Sequence, residues 1–222
     1  MQIEILYEDN HCLAVHKPAG LLAQGDRSGD PTLLEAVREY LRRRHGKRGR
    51  VYLGVVHRLD RPVSGVVLLA RTSKAAARLA GQFRHGTVRK TYVALVESPP
   101  PAASGILEHH LRKEPRTNRT RVARAGEPGA RLARLRYRIL ATHPGGTLVE
   151  VSPETGRPHQ IRVQLAEVGA VIVGDLRYGS RRPLGASIAL HASRLEFAHP
   201  TRREMVTVVA PLPQSWEVLL RA

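Results

Sequence analysis

The sequence predicts one α+β domain spanning residues 1–222, built on a mixed or mostly antiparallel sheet flanked by helices. Three observations carry that reading. Short β-type runs recur along the chain, separated by turn-forming residues. Amphipathic segments with helix caps fall between some of those runs. No internal repeat and no linker-like tract divides the chain. With 42% hydrophobic and 25% charged residues, the composition is that of an ordered globular protein. Its 222 residues suffice for a sizeable core without covalent staples.

From the N-terminus, IEILYEDNHCLAVHKPAG (3–20) reads as two short strands around a turn at Glu8, Asp9 and Asn10, ending in a Pro-Ala-Gly loop. TLLEAVREYLRRR (32–44) opens on Thr32 with Glu35 three positions on, the pattern of a capping box. Leu33, Leu34, Val37, Tyr40 and Leu41 share one face, so this is a surface helix. It runs into RRRHGKRGR (42–50), a basic loop whose plainest reading is a solvated charged turn. VYLGVVHRLD (51–60) and GVVLLAR (65–71) look like β segments. SKAAARLAGQFRHG (73–86) is a helix capped by Thr72 or Ser73 and closed by Gly86. VRKTYVALVE (88–97) alternates as a strand, and PPPA (99–102) is a break. Residues 111–138 hold ten basic and two acidic side chains. Alternation in RVAR (121–124) and RLARLRYRI (131–139) predicts a strand pair around a Gly-rich turn, one face basic and one apolar. Such a face suits a phosphodiester backbone, and equally an edge hairpin kept soluble by charge. GTLVEVSP (146–153) is a strand, and HQIRVQLAEVG (159–169) is a helix with Gly169 just past its end. VIVGD (171–175), IALHASRLEFAHP (188–200) and REMVTVVAP (203–211) are strand-like.

Composition removes several function classes. Cys12 is the only cysteine, so there is no internal disulfide and no cysteine-based zinc site. Eleven histidines form no H-E-x-x-H, and His109-His110 is a bare dipeptide. G-x-x-x-x-G-K-[ST], G-x-G-x-x-G and G-x-S-x-G are all missing. Neither a metal nor a cofactor is expected. No apolar run reaches the eighteen or so residues that cross a bilayer, and the N-terminus lacks a secretory pattern. A cytoplasmic monomer with no membrane partner is expected. A net charge of +17 and a pI near 11.2 call for a polyanionic partner, most simply nucleic acid. Arginine outnumbers lysine 31 to 5, and its planar fork matches phosphates and stacks on bases. Genome base composition explains that ratio equally well, but not the net charge.

Acids are scarce. Beyond residue 30 the only aspartates are Asp60 and Asp175. Asp60 lies in HRLDRPVSG (57–65) with Arg58 and Arg61 beside it, and the apolar run VVLLA follows. Taken alone, it is either a structural acid paired with Arg58 or a catalytic carboxylate. Asp175, in GDLRYG, reads as a turn residue. A glycosidase or nuclease would need a second acid alongside Asp60.

HRLDRPVSG resembles the central H-R-L-D-x-x-T-S-G motif of the RluA-type pseudouridine synthases. Further segments resemble that family in the same order: VHKPAG (15–20) its K-P-x-G loop, RKTYVALV (89–96) its K-x-Y-x-A strand, and TGRPHQIRVQLA (155–166) its T-G-R-x-H-Q-I-R motif. VIVGDLRYG (171–179) and LHASRLEFAHP (190–200) resemble its closing elements. The resemblance runs from about residue 3 to about 212. Val63, Gln24, Glu154 and Gln164 depart from the residues usual there.

That resemblance implies a stand-alone catalytic domain without an S4-type module. It implies a curved, largely antiparallel sheet flanked by helices, with a central catalytic cleft. The implied reaction isomerises uridine to pseudouridine in ribosomal or transfer RNA, without a cofactor. The N1–C1′ bond breaks, the uracil turns, and C5 joins C1′. Asp60 would be the catalytic carboxylate, attacking uracil C6 or ribose C1′ or assisting elimination at C2′. Burial would raise its pKa and the guanidinium of Arg162 would lower it again. Tyr92 would stack on the flipped base and relay the C5 proton. His57, Arg58, Arg61, Lys90, His159 and Gln160 would line the substrate site, helped by the arginines of 112–138. Two rivals stand beside this reading. One is a non-catalytic RNA-binding or ribosome-assembly protein on the same scaffold. The other is a nuclease or glycosidase built on Asp60.

Overall fold

In the computed structural model, which describes residues 3–25, 29–46, 49 and 51–221, Asp9 makes the first turn. Its Oδ1 accepts from the backbone N–H groups of His11 (2.7 Å) and Cys12 (2.8 Å). This reverses the chain between the antiparallel strands β1 (Glu4–Glu8) and β2 (Cys12–Lys17). The chain divides into two compact units. One is Met1–Arg89 with Ala192–Pro211; the other is Lys90–His191 with Leu212–Ala222.

The first unit holds β1, β2, α1 (Leu33–His45), β3 (Gly54–Val55), β4 (Ser64–Ala70), α2 (Ser73–Arg84), β10 (Leu190–Ala198) and β11 (Met205–Val209). Its strand order is β1-β2-β4-β10, with β11 on β10 and β3 on β4. The expected capping box is present at both ends of the pair. Thr32 Oγ1 accepts from Glu35 N, and Glu35 Oε2 accepts from Thr32 N. Gly46 closes α1 in the left-handed region at φ 60°. Lys47, Arg48 and Arg50 of the expected basic loop lie outside the described residues. Thr72 caps α2 by accepting from Ala75 N. On β2 and β4, Cys12, Ala14, Val66, Leu68 and Ala70 pack with Ala75 and Leu79 of α2 and with Leu195 and Phe197 of β10. Leu13, Val15, Val67 and Leu69, at the alternate positions, are buried too, so these strands are covered on both faces.

The second unit holds β5 (Arg89–Val96), β6 (Ser104–Glu114), β7 (Arg119–Ala123), β8 (Arg131–His143), β9 (Gly146–Pro153), α3 (Gln160–Glu167) and α4 (Trp216–Arg221), with strand order β5-β9-β8-β6-β7. Every pairing with a described register, in both units, is antiparallel. α3 packs Val163 and Ala166 on Leu111 of β6, Val122 of β7 and Ala133 of β8.

Three expectations are corrected. β7 and β8 are not partners: they pair with opposite edges of β6, so the Gly-rich segment between them is no hairpin turn. The alternation along β8 is real. Ala133, Leu135 and Tyr137 are buried while Arg136 and Arg138 face out. Its partner, however, is set by a strand the sequence reading did not pick out. VIVGD is not a strand: Ile172 makes one isolated bridge to Val96, and the rest is turn leading into a 3-10 turn at Leu176–Tyr178. Of residues 51–60, only Gly54–Val55 is strand.

Candidate active site

Asp60 lies in the loop between β3 and β4, half-buried, with its neighbours Leu59 and Val63 buried. Its backbone carbonyl accepts from Val63 N (3.1 Å), which makes the D-R-P-V turn. Lys17, at the end of β2, secures this loop from beneath. It is wholly buried, at 0% exposure, and its Nζ donates to the carbonyls of Pro18 (3.0 Å), Leu21 (2.8 Å) and Arg61 (3.0 Å). An ammonium has three donors, and each meets a carbonyl. Burial pushes the Lys17 pKa down to about 7; the negative charge of Asp60 opposes that shift and the positive charge of Arg61 adds to it. Gly20 completes the tie, donating from its N–H to Arg61 O (2.9 Å) and accepting at its carbonyl from Arg61 Nε (3.0 Å).

The other motif residues here serve the same loop. Arg61 also pairs with Asp30 (2.8 Å). His57 Nε2 accepts from Leu68 N (2.9 Å), so that nitrogen carries no proton, and its ring stacks on Phe83 at 4.5 Å between centroids. Arg58 is exposed and, among the described residues, forms no ion pair. Gly65 is required: at φ 120°, a Cβ would stand 2.3 Å from Ala192 O on β10.

In the second unit, the T-G-R-P-H-Q-I-R segment forms a braced turn ahead of α3. Gln160 is buried, and its Oε1 accepts from Thr155 Oγ1 (2.7 Å) and Arg157 N (3.0 Å) while its Nε2 donates to Arg134 O (3.0 Å). Lys90, two positions before the half-buried Tyr92 on β5, donates to Thr155 O (3.3 Å), and burial lowers its pKa. His159 takes a left-handed conformation at φ 53° just before α3. Arg162, one helical turn in, is 5% exposed. It donates from Nε to Asp175 Oδ2 (2.7 Å) and from Nη2 to Asp175 Oδ1 (2.8 Å).

Asp175 is 1% exposed. Its role as a turn residue holds, since its carbonyl accepts from Tyr178 N and Ser180 N, but the sequence reading missed its side-chain partner. Tyr178 was missed altogether. Its ring centroid lies 5.0 Å from the Arg162 guanidinium and 5.3 Å from that of Arg119. Its hydroxyl donates to Thr120 O (3.0 Å) and accepts from Thr120 N (2.9 Å). A phenol has one proton, so His159 Nδ1, at 2.8 Å, is the donor in the remaining contact. Burial raises the Tyr178 pKa, which keeps that phenol protonated.

The basic residues of 112–138 separate into two groups. Arg112 and Arg121 converge on Glu127, Arg134 and Arg136 on Glu154, and Arg138 on Glu150. Lys113, Arg116, Arg119, Arg124 and Arg131 are exposed and, among the described residues, meet no carboxylate.

Residues 11–167 match the family model of RNA pseudouridylate synthases. The chain belongs to the RNA pseudouridylate synthase family. The match runs through both units without a break. Over 99% of its length, this synthase is 33% identical to the RNA pseudouridine synthase YhcT of Bacillus subtilis (strain 168), covering 72% of that protein. It is 35% identical to ribosomal large subunit pseudouridine synthase C of Vibrio parahaemolyticus, over 97% of this chain and 68% of that protein. Among solved structures, human RNA pseudouridylate synthase domain containing 4 shares the fold. Its TM-score is 0.82 at 24% identity, with 98% of this chain and 91% of that chain covered. Like the family, this synthase is an isomerase acting on uridine in RNA.

Proposed function

We propose that this synthase converts particular uridines of ribosomal RNA to pseudouridine, with Asp60 as its catalytic carboxylate and both units acting as one catalytic domain. The observation that carries the assignment of Asp60 is its loop. A fully buried lysine with all three donors engaged holds the half-buried D-R-P-V turn, and that turn offers one acid. Pure RNA binding needs no such brace. The names of relatives that act on the large ribosomal subunit support the choice of RNA; transfer RNA is the alternative source of the uridine.

The target base leaves its stack at a cost of a few kcal/mol, which phosphate contacts by Arg58 and Lys90 help offset. Asp60, ionised, initiates cleavage of the N1–C1′ bond, as a nucleophile at uracil C6 or ribose C1′ or by assisting elimination at C2′. Tyr92 stacks on the detached uracil as it turns. C5 then bonds to C1′, the C5 proton departs and N1 gains one, so nothing is consumed. Arg162 is the guanidinium that favours the ionised carboxylate of Asp60, a role that rests on the motif resemblance. His57, Arg61, His159 and Gln160 shape the two loops.

The test compares pseudouridine maps of total RNA from cells with and without the gene, then adds back the wild type or Asp60→Ala. Loss of defined sites, restored by the wild type alone while the variant still binds RNA, is expected. Equal product from both proteins refutes the assignment. Strand cleavage or free uracil would show a nuclease or glycosidase instead.

A further inference from the structure

The Arg162–Asp175 pair is hard to explain as a stabilising contact. Taking two charges out of water costs several kcal/mol per ion, and a well-packed apolar pair of similar volume is often as stable or more so. The pair is nevertheless built with care. Asp175 is held by a turn that fixes its backbone twice: its carbonyl accepts from Tyr178 N (2.9 Å) and Ser180 N (3.1 Å). Ser180 Oγ in turn accepts from Gly174 N (3.1 Å) and donates to Glu97 (2.6 Å). Gly174 has no room for a side chain, since a Cβ would stand 2.7 Å from Leu184 Cβ and 2.9 Å from Ser187 O. The backbone that carries the carboxylate is therefore fixed in place.

Two features of the contact determine direction rather than affinity. A bidentate fork through Nε and Nη2 fixes the plane of the guanidinium and the bearing of its opposite edge. The face of that plane is set separately by the Tyr178 ring at 5.0 Å. The ring cannot swing away, because its hydroxyl is held by Thr120 and His159.

We propose that Asp175 and Tyr178 are positioning residues for Arg162, one setting the direction of its guanidinium and the other supporting its face, so that the cation meets the reacting uridine nucleotide in one orientation. This deepens the proposed function and rests on Arg162 belonging to the catalytic set. Asp175 does not touch the substrate; it acts through the arginine.

The experiment measures single-turnover tritium release from 5-tritiouridine-labelled total RNA of cells lacking the gene, together with RNA affinity and near-ultraviolet circular dichroism. Asp175→Asn keeps the volume but places an amide N–H against a guanidinium N–H. The expected result is a rate about 100-fold lower, the size of effect that an ångström of misplacement produces, with RNA affinity within about twofold and a folded spectrum. Asp175→Glu keeps the charge at altered reach and should fall between. Tyr178→Phe keeps the π face but frees the ring from Thr120 and His159, so its rate should fall less than that of Tyr178→Leu, which removes the π face as well and should fall about tenfold or more. A wild-type rate in folded Asp175→Asn overturns the proposal. So does a rate that falls only in step with RNA affinity or with the folded fraction, which marks a structural brace. Equal rates for Tyr178→Phe and Tyr178→Leu remove Tyr178 from it. If Asp60→Asn retains full activity in the same assay, the underlying functional reading fails instead.

Discussion

Replacing Lys17 by methionine tests the support beneath the Asp60 loop. Methionine matches the stem in length and adapts to the space, but it donates nothing. Arg61 O keeps one partner, Gly20 N at 2.9 Å. Pro18 O and Leu21 O lose the ammonium at 3.0 and 2.8 Å. At about 1–3 kcal/mol for each buried acceptor left without a donor, the loss is about 2–6 kcal/mol. Relief from burying an ammonium offsets part of this, leaving a net of about 2–4 kcal/mol. That is a large share of a typical stability of about 5–15 kcal/mol.

The same lysine gives the prediction a pH signature. Its pKa is about 7 in the folded protein and near 10.5 when exposed. Between those values the unfolded chain binds a proton that the folded chain does not. The wild type therefore gains stability with rising pH across that window, by up to about 1.4 kcal/mol per unit. Below pH 7 the site contributes no slope. Urea unfolding at pH 6, 8 and 9.5, followed by circular dichroism, should show a deficit in Lys17→Met that widens from pH 7 upward. Single-turnover isomerisation should fall about 100-fold as the loop shifts. Equal unfolding midpoints at all three pH values, with an unchanged rate, would refute the claim that the Lys17 side chain holds the catalytic loop.

Gly65→Ala should cost more than about 3 kcal/mol, because its Cβ would meet the Ala192 backbone at 2.3 Å in an unfavourable conformation; calorimetry reads the drop in Tm. Thr32→Ala should cost about 1 kcal/mol in urea unfolding by removing the α1 cap while leaving the isomerisation rate unchanged. Changing Lys113, Arg116 and Arg124 together to Gln should lower the slope of log affinity against log salt by about 2–3. Changing Arg136 and Arg138, which Glu154 and Glu150 neutralise, should lower it far less, as fluorescence anisotropy in a KCl series will show.

What the sequence revealed was local or carried by motif. The capping box of α1 needs only residues three positions apart, and the Asp9 turn needs only its neighbours, so both were legible. Asp60 stood out because a chain so short of aspartate places one between arginines. Strand partnership is a different matter. Alternation tells which side of β8 faces inward but not which strand lies beside it. β6, with His109, His110 and two basic residues near its end, gives a weak β signal yet takes both neighbours. VIVGD misled because a buried turn and a buried strand share the same apolar composition. One signal for Asp175 was available: an acid directly after three buried-type residues needs a cation, and the adjacent motif supplied Arg162. Tyr178, Gln160 and Lys17 each reach a backbone group distant in sequence, at Thr120, Arg134 and Arg61, which no pattern of residue types encodes. Two departures from the family pattern have local uses. Glu154 neutralises Arg134 and Arg136, and Gln164 donates to the carbonyls of Leu107 and Ala133.

β7 ends its run of strands, so its outer side would ordinarily offer bare peptide groups to any extended chain that drifted past. At Thr120 one phenol occupies both the amide and the carbonyl, standing in for the peptide of an absent neighbour. At Thr120, near the start of β7, the margin of the sheet is thereby closed to self-association by a single oxygen atom. A highly cationic protein that must remain dispersed until it meets RNA gains a guard against strand-to-strand clumping from a side chain already in place for another purpose.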